Sequence, residues 1–304
     1  MSIHNKVLSC QIILGDSRSV LPTLKNKVDL IVTSPPYADA RRKHYDSIHP
    51  DEFCNWFASF HKAFYEVLKP KGSLVINIKD KIVNGVRHRY VWNTIMKLSE
   101  LGWYPIDDYV WCKANPMPGY WPTRLRDGWE YCFHLAKCKN PYINQDAVKV
   151  PLGKWAEVRL TKLTGKSAER HNSENNSGFG RDLRKWVGKK VVLPSNVINL
   201  PLVGKNLGHP AVFPVGLPGF FVKLLSPVHG IVLDPFGGSG QTGVAALELE
   251  RDVILVDNKK DYVEKMVKRI RETAKDISTK IAVNNFNTFS HKCSHIYWMK
   301  DPIF

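Results

Sequence analysis

A short stretch, Thr33-Ser34-Pro35-Pro36-Tyr37, gathers hydrogen-bond acceptors and one aromatic ring at the end of an apolar run. Proline has no amide hydrogen and holds φ at about −65°, so the chain must leave the preceding strand in an extended, rigid turn. The Ser34 hydroxyl and the carbonyls of Ser34 and Pro35 then have no neighbouring proline amide to bind. Such a corner could hold a planar molecule that carries an amino group. A plain strand-ending turn with a packed tyrosine explains these five residues equally well.

A second stretch that could do chemistry is the glycine-rich segment from Asp234 to Thr242. It joins a predicted strand, Gly230 to Leu233, to a predicted helix, Thr242 to Glu250. Its glycines would let a ligand approach the backbone, and the helix start would offer free amides. The next predicted strand, 252–256, leads into Asp257, about twenty residues beyond the glycines. Rossmann-type folds bind a ribose diol with an acidic residue at this place.

Together the two stretches resemble the motifs of the amino-group DNA methyltransferases, which use S-adenosylmethionine to methylate adenine at N6 or cytosine at N4. Residues 33–37 resemble their catalytic motif, and residues 234–240 resemble their cofactor loop. Here the catalytic motif comes first, an order that resembles the circularly permuted β group. Protein-glutamine methyltransferases also carry Pro-Pro-Tyr, but their cofactor loop precedes it. The resemblance covers roughly residues 10 to 140 and 195 to 275.

The resemblance implies a fold and a set of site residues. The fold is α/β, with the Rossmann-like, doubly wound, mostly parallel sheet of class I methyltransferases and an inserted DNA-recognition region. The implied cofactor is S-adenosyl-L-methionine, and no metal is expected. The implied catalytic residues are Ser34, Pro35, Pro36 and Tyr37. The implied cofactor-binding residues are Asp16, Thr33, His209, Phe213, Asp234, Pro235, Phe236, Gly237, Gly238, Ser239, Gly240, Thr242, Asp257 and Asn258.

The first residue of the catalytic motif bears on the choice of base. Members of the family with serine at this position mostly methylate cytosine at N4, so Ser34 favours cytosine. A hydroxyl can accept a hydrogen bond from either amino group, and adenine N6 therefore stays the alternative. An RNA methyltransferase, or a nucleic-acid-binding protein without activity on the same scaffold, are the other functions that the sequence leaves open.

Alternating strands and helices are predicted to position these motifs. Asp16 follows the first strand, where the β group has an acidic residue near the adenine ring. A Gly-Asp-Ser sequence is equally typical of a cap on the helix at 20–24. The predicted strands are 8–14, 28–33, 73–78, 109–112, 131–136, 230–233 and 252–256, and the predicted helices are 20–24, 51–68, 90–101, 217–225, 242–250 and 259–275.

Basic residues indicate a polyanionic partner. The 304 residues carry a formal net charge of +16, which favours nucleic acid as a partner. Between Lys149 and Lys190 eleven cations stand against four carboxylates, and aromatic residues are interleaved with them, a pattern typical of nucleic-acid binding. A basic linker without fixed structure is the alternative for 160–180. The predicted DNA-binding residues are Arg41, Arg42, Lys43, Lys154, Arg181, Arg184 and Lys185.

The domain boundaries follow from these motifs. We predict a catalytic half at 1–139, a target-recognition region at 140–195, a cofactor-binding half at 196–276 and a C-terminal tail at 277–304. The six cysteines form no CxxC pair and none follows a proline, so they are predicted to be reduced thiols and none resembles the nucleophile of cytosine-C5 methyltransferases. No apolar run reaches about eighteen residues, so we expect a cytoplasmic protein that does not bind a membrane. The expected partners are double-stranded DNA and a cognate restriction endonuclease, with the chain a monomer or homodimer.

Overall fold

The computed structural model describes residues 7–24, 27–38, 48–116, 118–163, 169–170, 181–203 and 213–286. The chain separates into two compact units. The larger is formed by Met1–Asn144 together with Asn196–Phe304, and the smaller by Gln145–Ser195. Within the described ranges, no helix has the length and apolar character needed to cross a bilayer.

Strands and helices alternate along most of the described chain, as the sequence predicts. The strands are β1 (Leu8–Leu14), β2 (Val28–Thr33), β3 (Leu68–Ile78), β4 (Lys81–Val83), β5 (Val86–His88), β6 (Tyr104–Lys113), β7 (Trp129–Ala136), β8 (Val150–Pro151), β9 (Glu169–Arg170), β10 (Arg181–Asp182), β11 (Val191–Val192), β12 (Val197–Leu200), β13 (Ile231–Asp234), β14 (Asp252–Asp257) and β15 (Thr279–Asn285). The helices are α1 (Ser17–Val20), α2 (Pro50–Ala58), α3 (His61–Val67), α4 (Tyr90–Glu100), α5 (Lys154–Thr161), α6 (Gly216–Leu225), α7 (Gln241–Glu248) and α8 (Lys260–Thr273). Short 3-10 turns lie at Leu21–Leu24, Gln145–Val148, Leu183–Trp186 and Ala274–Asp276.

The larger unit is built on a nine-stranded sheet in the order β12-β6-β7-β3-β2-β13-β14-β1-β15. β7 runs antiparallel to its neighbours β3 and β6, and the other neighbouring strands are parallel. The central strands are almost continuously apolar and buried, because helices cover both faces of a parallel sheet. This arrangement confirms the predicted α/β, doubly wound, mostly parallel fold.

Pairing of β2 with β13 brings the two sequence motifs together. Val232 lies opposite Leu30 and Leu233 opposite Ile31, so the carboxyl ends of both strands reach the same edge of the sheet. The catalytic motif begins where β2 ends, and the glycine-rich loop begins where β13 ends. Open α/β sheets bind ligands at this edge, beyond the carboxyl ends of the strands.

An aromatic cluster fixes α2 and α3 against the sheet. Phe53, Phe57 and Phe64 are fully buried, and the rings of Phe57 and Phe64 approach edge to face at 5.9 Å between centroids. Aromatic pairs in this arrangement stabilise a core beyond the area that they bury. The aromatic side chains of α2 and α3 therefore form part of the core.

Several elements differ from the prediction, and the helix predicted at 20–24 is α1 at Ser17–Val20 followed by a 3-10 turn at Leu21–Leu24. The helix predicted at 51–68 is two helices, α2 and α3, because the chain turns at Ser59 and Phe60. Lys69 to Gly72, predicted to separate a helix from a strand, lies inside β3. It forms a bulge there, since the register with β2 jumps from Leu68 to Ser73. The predicted tail contains β15, which pairs in parallel with β1 at the edge of the sheet. Its half-buried residues show no clear alternation, which is why the sequence did not reveal it.

The smaller unit has short elements. β8 pairs with β11 and β9 pairs with β10, each antiparallel, and α5 spans Lys154–Thr161. The unit begins at Gln145 rather than at residue 140, and it ends at Ser195. Its assignment to target recognition stays a prediction at this point.

Candidate active site

The catalytic motif leaves the sheet where the sequence predicts. β2 ends at Thr33, and the two prolines continue the chain outside regular structure. Ser34 and Tyr37 are half-buried, and their oxygens lie 3.3 Å apart, with the Ser34 hydroxyl donating to Tyr37. The turn thus holds the serine and tyrosine side chains beside each other at the edge of the sheet.

Behind Tyr37 lies a buried ion pair. The Tyr37 hydroxyl donates to Glu130 Oε2 at 2.7 Å, and Lys113 Nζ donates to Glu130 Oε1 at 2.6 Å. Burial, followed by the negative charge of Glu130, raises the pKa of Tyr37 well above its ordinary value, so the phenol keeps its proton. Asn77 Oδ1 lies 3.4 Å from the same hydroxyl.

No single role was predicted for Glu130 or Lys113, although the segments that contain them, 111–118 and 129–131, resemble the part of the family that borders the target-base pocket. Both lie in strands, Lys113 at the end of β6 and Glu130 near the start of β7, and these two strands pair antiparallel. Opposite charges in two otherwise apolar strand segments were the available signal, because charged side chains are buried only when they are paired.

A buried carboxylate joins the catalytic strand to the glycine-rich loop. Asp234 Oδ1 accepts a hydrogen bond from Thr33 Oγ1 at 2.7 Å, and Oδ2 accepts one from Thr242 Oγ1 at 2.7 Å. The Phe236 amide donates to Oδ1 at 3.1 Å. Burial raises the pKa of Asp234 to about 6, and these three donors act in the opposite direction. Thr33, predicted as a cofactor contact, is fully buried and uses its hydroxyl for this link.

Two glycines of the loop, Gly237 and Gly240, also pack closely within the protein. A Cβ on Gly237 would lie 2.9 Å from Met266 Sδ. Gly240 has a φ of 80°, and a Cβ placed on it would lie equally close to the Met266 side chain. The predicted reason for these glycines was a close approach of ligand. The structure adds a second reason, which is that α8 packs directly on the loop.

Asp257 ends β14 and holds the loop from the other side. Its Oδ2 accepts the Gly238 amide and its Oδ1 the Lys259 amide, both at 2.9 Å. Burial raises the pKa of this carboxyl. Each carboxylate oxygen can accept a further hydrogen bond, and α7 begins at Gln241 without a side-chain cap. An acceptor pair for a diol and an uncapped helix start at one loop are the groups that an adenosine-containing cofactor would require.

Asp16 caps α1. Its Oδ1 accepts the Arg18 amide at 2.8 Å, and its Oδ2 pairs with the Arg18 guanidinium at 2.6 Å. The hydrogen bond from Arg18 lowers the pKa of the carboxyl. Of the two interpretations of Asp16, the cap is therefore present, and a contact with adenine stays a prediction.

The remaining predicted site residues are distributed as follows. Phe236 packs edge to face on Phe60, with 5.1 Å between ring centroids, and the Pro235 carbonyl accepts from Ser17 Oγ at 2.5 Å. Ser239 is buried, Phe213 is half-buried, and Asn258, Lys154 and Arg184 are exposed. His209, Arg41, Arg42 and Lys43 lie outside the described residues, as do the side chains of Arg181 and Lys185. In the described ranges, no three histidine, cysteine, aspartate or glutamate side chains form a group suited to a metal ion.

Comparison with known proteins gives consistent results. A family model described as DNA methylase, of the N6 and N4 methyltransferases, matches residues 28–269. The type II methyltransferase M.PvuII of Proteus hauseri is 30% identical over 275 residues, which cover 82% of this chain and 80% of that protein. M.SmaI of Serratia marcescens is 25% identical over 305 residues, covering 88% and 93%.

Solved structures show the same fold. The PvuII DNA methyltransferase, described as cytosine-N4-specific, superposes with a TM-score of 0.64 at 22% identity and covers 94% of this chain and 99% of its own. The complex of M1.HpyAVI with SAM gives a TM-score of 0.54 at 23% identity, covering 86% and 99%. The family match, the relative at 30% identity and the meeting of the two motifs at one sheet edge confirm the resemblance: the chain belongs to the DNA methylase family of N6 and N4 methyltransferases.

Proposed function

We propose that this protein transfers a methyl group from S-adenosylmethionine to the exocyclic N4 of cytosine in duplex DNA. The observation that carries the proposal is the Thr33–Asp234 hydrogen bond, which joins the strand bearing Ser34 to the glycine-rich loop. A cofactor held by that loop would lie beside the catalytic turn. Similarity to M.PvuII, together with the cytosine-N4 description of the PvuII structure, supports cytosine as the base.

The residues of the turn are suited to activating an amino group. The lone pair of a base amino group is delocalised into the ring, so the group must be bent toward tetrahedral geometry before it can attack. The Ser34 hydroxyl and the Pro35 carbonyl would accept the two amino hydrogens, align the lone pair and stabilise the positive charge that develops on nitrogen. Bound S-adenosylmethionine would supply an electrophilic methyl group. Tyr37 would stack on the base after its rotation out of the duplex.

The methylated nucleoside tests this proposal directly. Incubation with duplex DNA and labelled S-adenosylmethionine, followed by digestion to nucleosides and mass spectrometry, is expected to yield N4-methylcytosine. A hydroxyl at position 34 accepts from either amino group, so the outcome decides between two real alternatives. N6-methyladenine would overturn the choice of base and keep the reaction, and transfer to structured RNA in place of DNA would overturn the substrate.

The smaller unit is the proposed target-recognition region. Between Lys149 and Lys190 it carries eleven cations against four carboxylates, and Lys189 lies over the ring of Trp186 at 5.0 Å from its centroid. Cations supply phosphate contacts, which fix the register of a protein on duplex DNA. The type II designation of the relatives supports a further partner, a restriction endonuclease that recognises the same site.

Replacing Lys154 and Arg184 with glutamine is expected to weaken DNA binding equally for all sequences. Each phosphate contact contributes about 0.9 to the slope of log affinity against log salt, so losing both should lower the slope by about 2. Fluorescence anisotropy at several salt concentrations measures the slope, and the double change Lys260→Gln with Lys268→Gln on α8 is a control of equal charge change. An unchanged slope in the double variant would place the phosphate contacts elsewhere.

A further inference from the structure

Four polar side chains form one continuous chain of hydrogen bonds at the catalytic turn. Ser34 Oγ donates to the Tyr37 oxygen at 3.3 Å, Tyr37 donates to Glu130 Oε2 at 2.7 Å, and Lys113 Nζ donates to Glu130 Oε1 at 2.6 Å. The Lys113 and Glu130 side chains are each only 10% exposed. The catalytic hydroxyl is thus the outer end of a chain whose inner end is a buried ion pair.

The direction of these bonds follows from the chemistry of the groups. An ionised carboxylate only accepts hydrogen bonds and a lysine ammonium only donates them, so Glu130 beside Lys113 must accept the hydrogen bond that the Tyr37 hydroxyl donates. The Asn77 carbonyl, at 3.4 Å, is the more distant acceptor for that proton. Since Tyr37 has one hydroxyl hydrogen and donates it in the hydrogen bond to Glu130, its oxygen can only accept from Ser34. The Ser34 hydrogen then points toward Tyr37, and the lone pairs of Ser34 Oγ can accept from another donor.

This direction matters for the proposed reaction. Ser34 must accept a hydrogen from the amino group of the base, and a serine hydroxyl that rotates freely could instead point its proton at that group. We propose that Glu130 and Lys113 are positioning residues for methyl transfer, which act through Tyr37 to keep Ser34 an acceptor. The proposal rests on the proposed function of the same site, and it assigns to the Tyr37 hydroxyl a task separate from stacking.

A purely structural role is the alternative, in which the ion pair only ties β6 to β7. The Lys69–Asp29 pair offers a comparison, since it joins β3 to β2 at 2.8 Å, near the opposite end of β2 from Ser34. An ion pair that only holds strands should affect stability and leave kcat unchanged, wherever it lies in the sheet.

A double-mutant cycle between Ser34→Ala and Glu130→Gln separates the two roles. With Ser34 present, Glu130→Gln is expected to lower the single-turnover rate roughly 10- to 100-fold, because the glutamine amide can donate to Tyr37 and reverse the chain. With Ser34 already replaced, the same change is expected to alter the rate less than about twofold, since no hydroxyl remains to be oriented. Tyr37→Phe, which keeps the ring, should lower the rate as Glu130→Gln does.

Controls keep the outcome independent of folding and of the proposed function. Lys69→Met should leave the single-turnover rate unchanged. The double variant Glu130→Gln with Lys113→Met tests the site without leaving a buried lysine unpaired. Cofactor affinity by calorimetry shows whether each variant keeps its binding site. Equal losses from Glu130→Gln in both Ser34 backgrounds, or full activity of Tyr37→Phe, would overturn the inference while the wild-type protein still methylates DNA. Failure of the wild-type protein to methylate any nucleic acid would instead overturn the proposed function.

Discussion

Replacing Ser34 with alanine is expected to lower the rate of methyl transfer roughly 10²- to 10³-fold, as the loss of one preorganised transition-state contact does in other enzymes. The Ser34 side chain is one of the two acceptors proposed for the amino hydrogens, and the Pro35 carbonyl alone cannot align both hydrogens. Thr33 and Asp234 hold the loop without help from the Ser34 side chain. S-adenosylmethionine should therefore bind the variant with unchanged affinity.

Single-turnover transfer and isothermal calorimetry measure the two quantities separately. Ser59→Ala is a matched control, because it removes an exposed hydroxyl that donates to the Trp56 carbonyl at the end of α2, outside the catalytic turn. Ser34→Asn should recover part of the rate, since the amide oxygen restores an acceptor. Loss of cofactor binding in Ser34→Ala, with transfer falling in proportion, would mean that the turn belongs to the cofactor pocket.

The sequence was sufficient to predict the elements that carry the motifs. β2, β13 and β14 are short apolar runs bounded by proline, glycine or charged residues, and such runs indicate buried parallel strands before any pairing is known. The double proline and the glycine-rich loop mark where two of these strands end. The site was therefore predictable as two ends of strands at one edge of a sheet.

The contacts between the motifs were not predictable from periodicity. Thr33 and Asp234 are 201 residues apart, and nothing local to either residue identifies the other as its partner. The contact between Glu130 and Lys113 could be predicted only from the register of β6 and β7, and that register depends on packing across the sheet. β15 lies at an edge of the sheet, so its residues are half-buried and do not alternate between buried and exposed. Its sequence pattern was therefore too weak to predict a strand. For β2 and β13, local sequence thus marks where the strand ends, and tertiary pairing decides which polar groups meet there.

Removing the Asp234 carboxylate should disable cofactor binding and methyl transfer together. In Asp234→Ala the Thr33 and Thr242 hydroxyls and the Phe236 amide lose their common acceptor. Leaving these buried donors unsatisfied is expected to lower the free energy of unfolding by about 3 kcal/mol, partly offset because a buried carboxylate is itself costly. A loop no longer held against β2 should weaken S-adenosylmethionine binding, and a displacement of the bound cofactor near 1 Å is expected to lower the rate of methyl transfer roughly 100-fold.

Asp29→Ala is the control for Asp234→Ala, because it removes another carboxylate of the same sheet at a different position. Asp29 stands in the same sheet near the start of β2 and accepts from Lys69 Nζ at 2.8 Å and from the Ile231 amide at 2.9 Å. Its removal also breaks a link among β2, β3 and β13, so the temperature of thermal unfolding should fall in both variants. Calorimetry, in contrast, should show lost cofactor affinity in Asp234→Ala alone. Equal cofactor affinity in the two variants would contradict the role of Asp234 in holding the loop. The catalytic strand and the glycine-rich loop would then be positioned by the sheet alone, and the Thr33–Asp234 hydrogen bond would contribute stability without function.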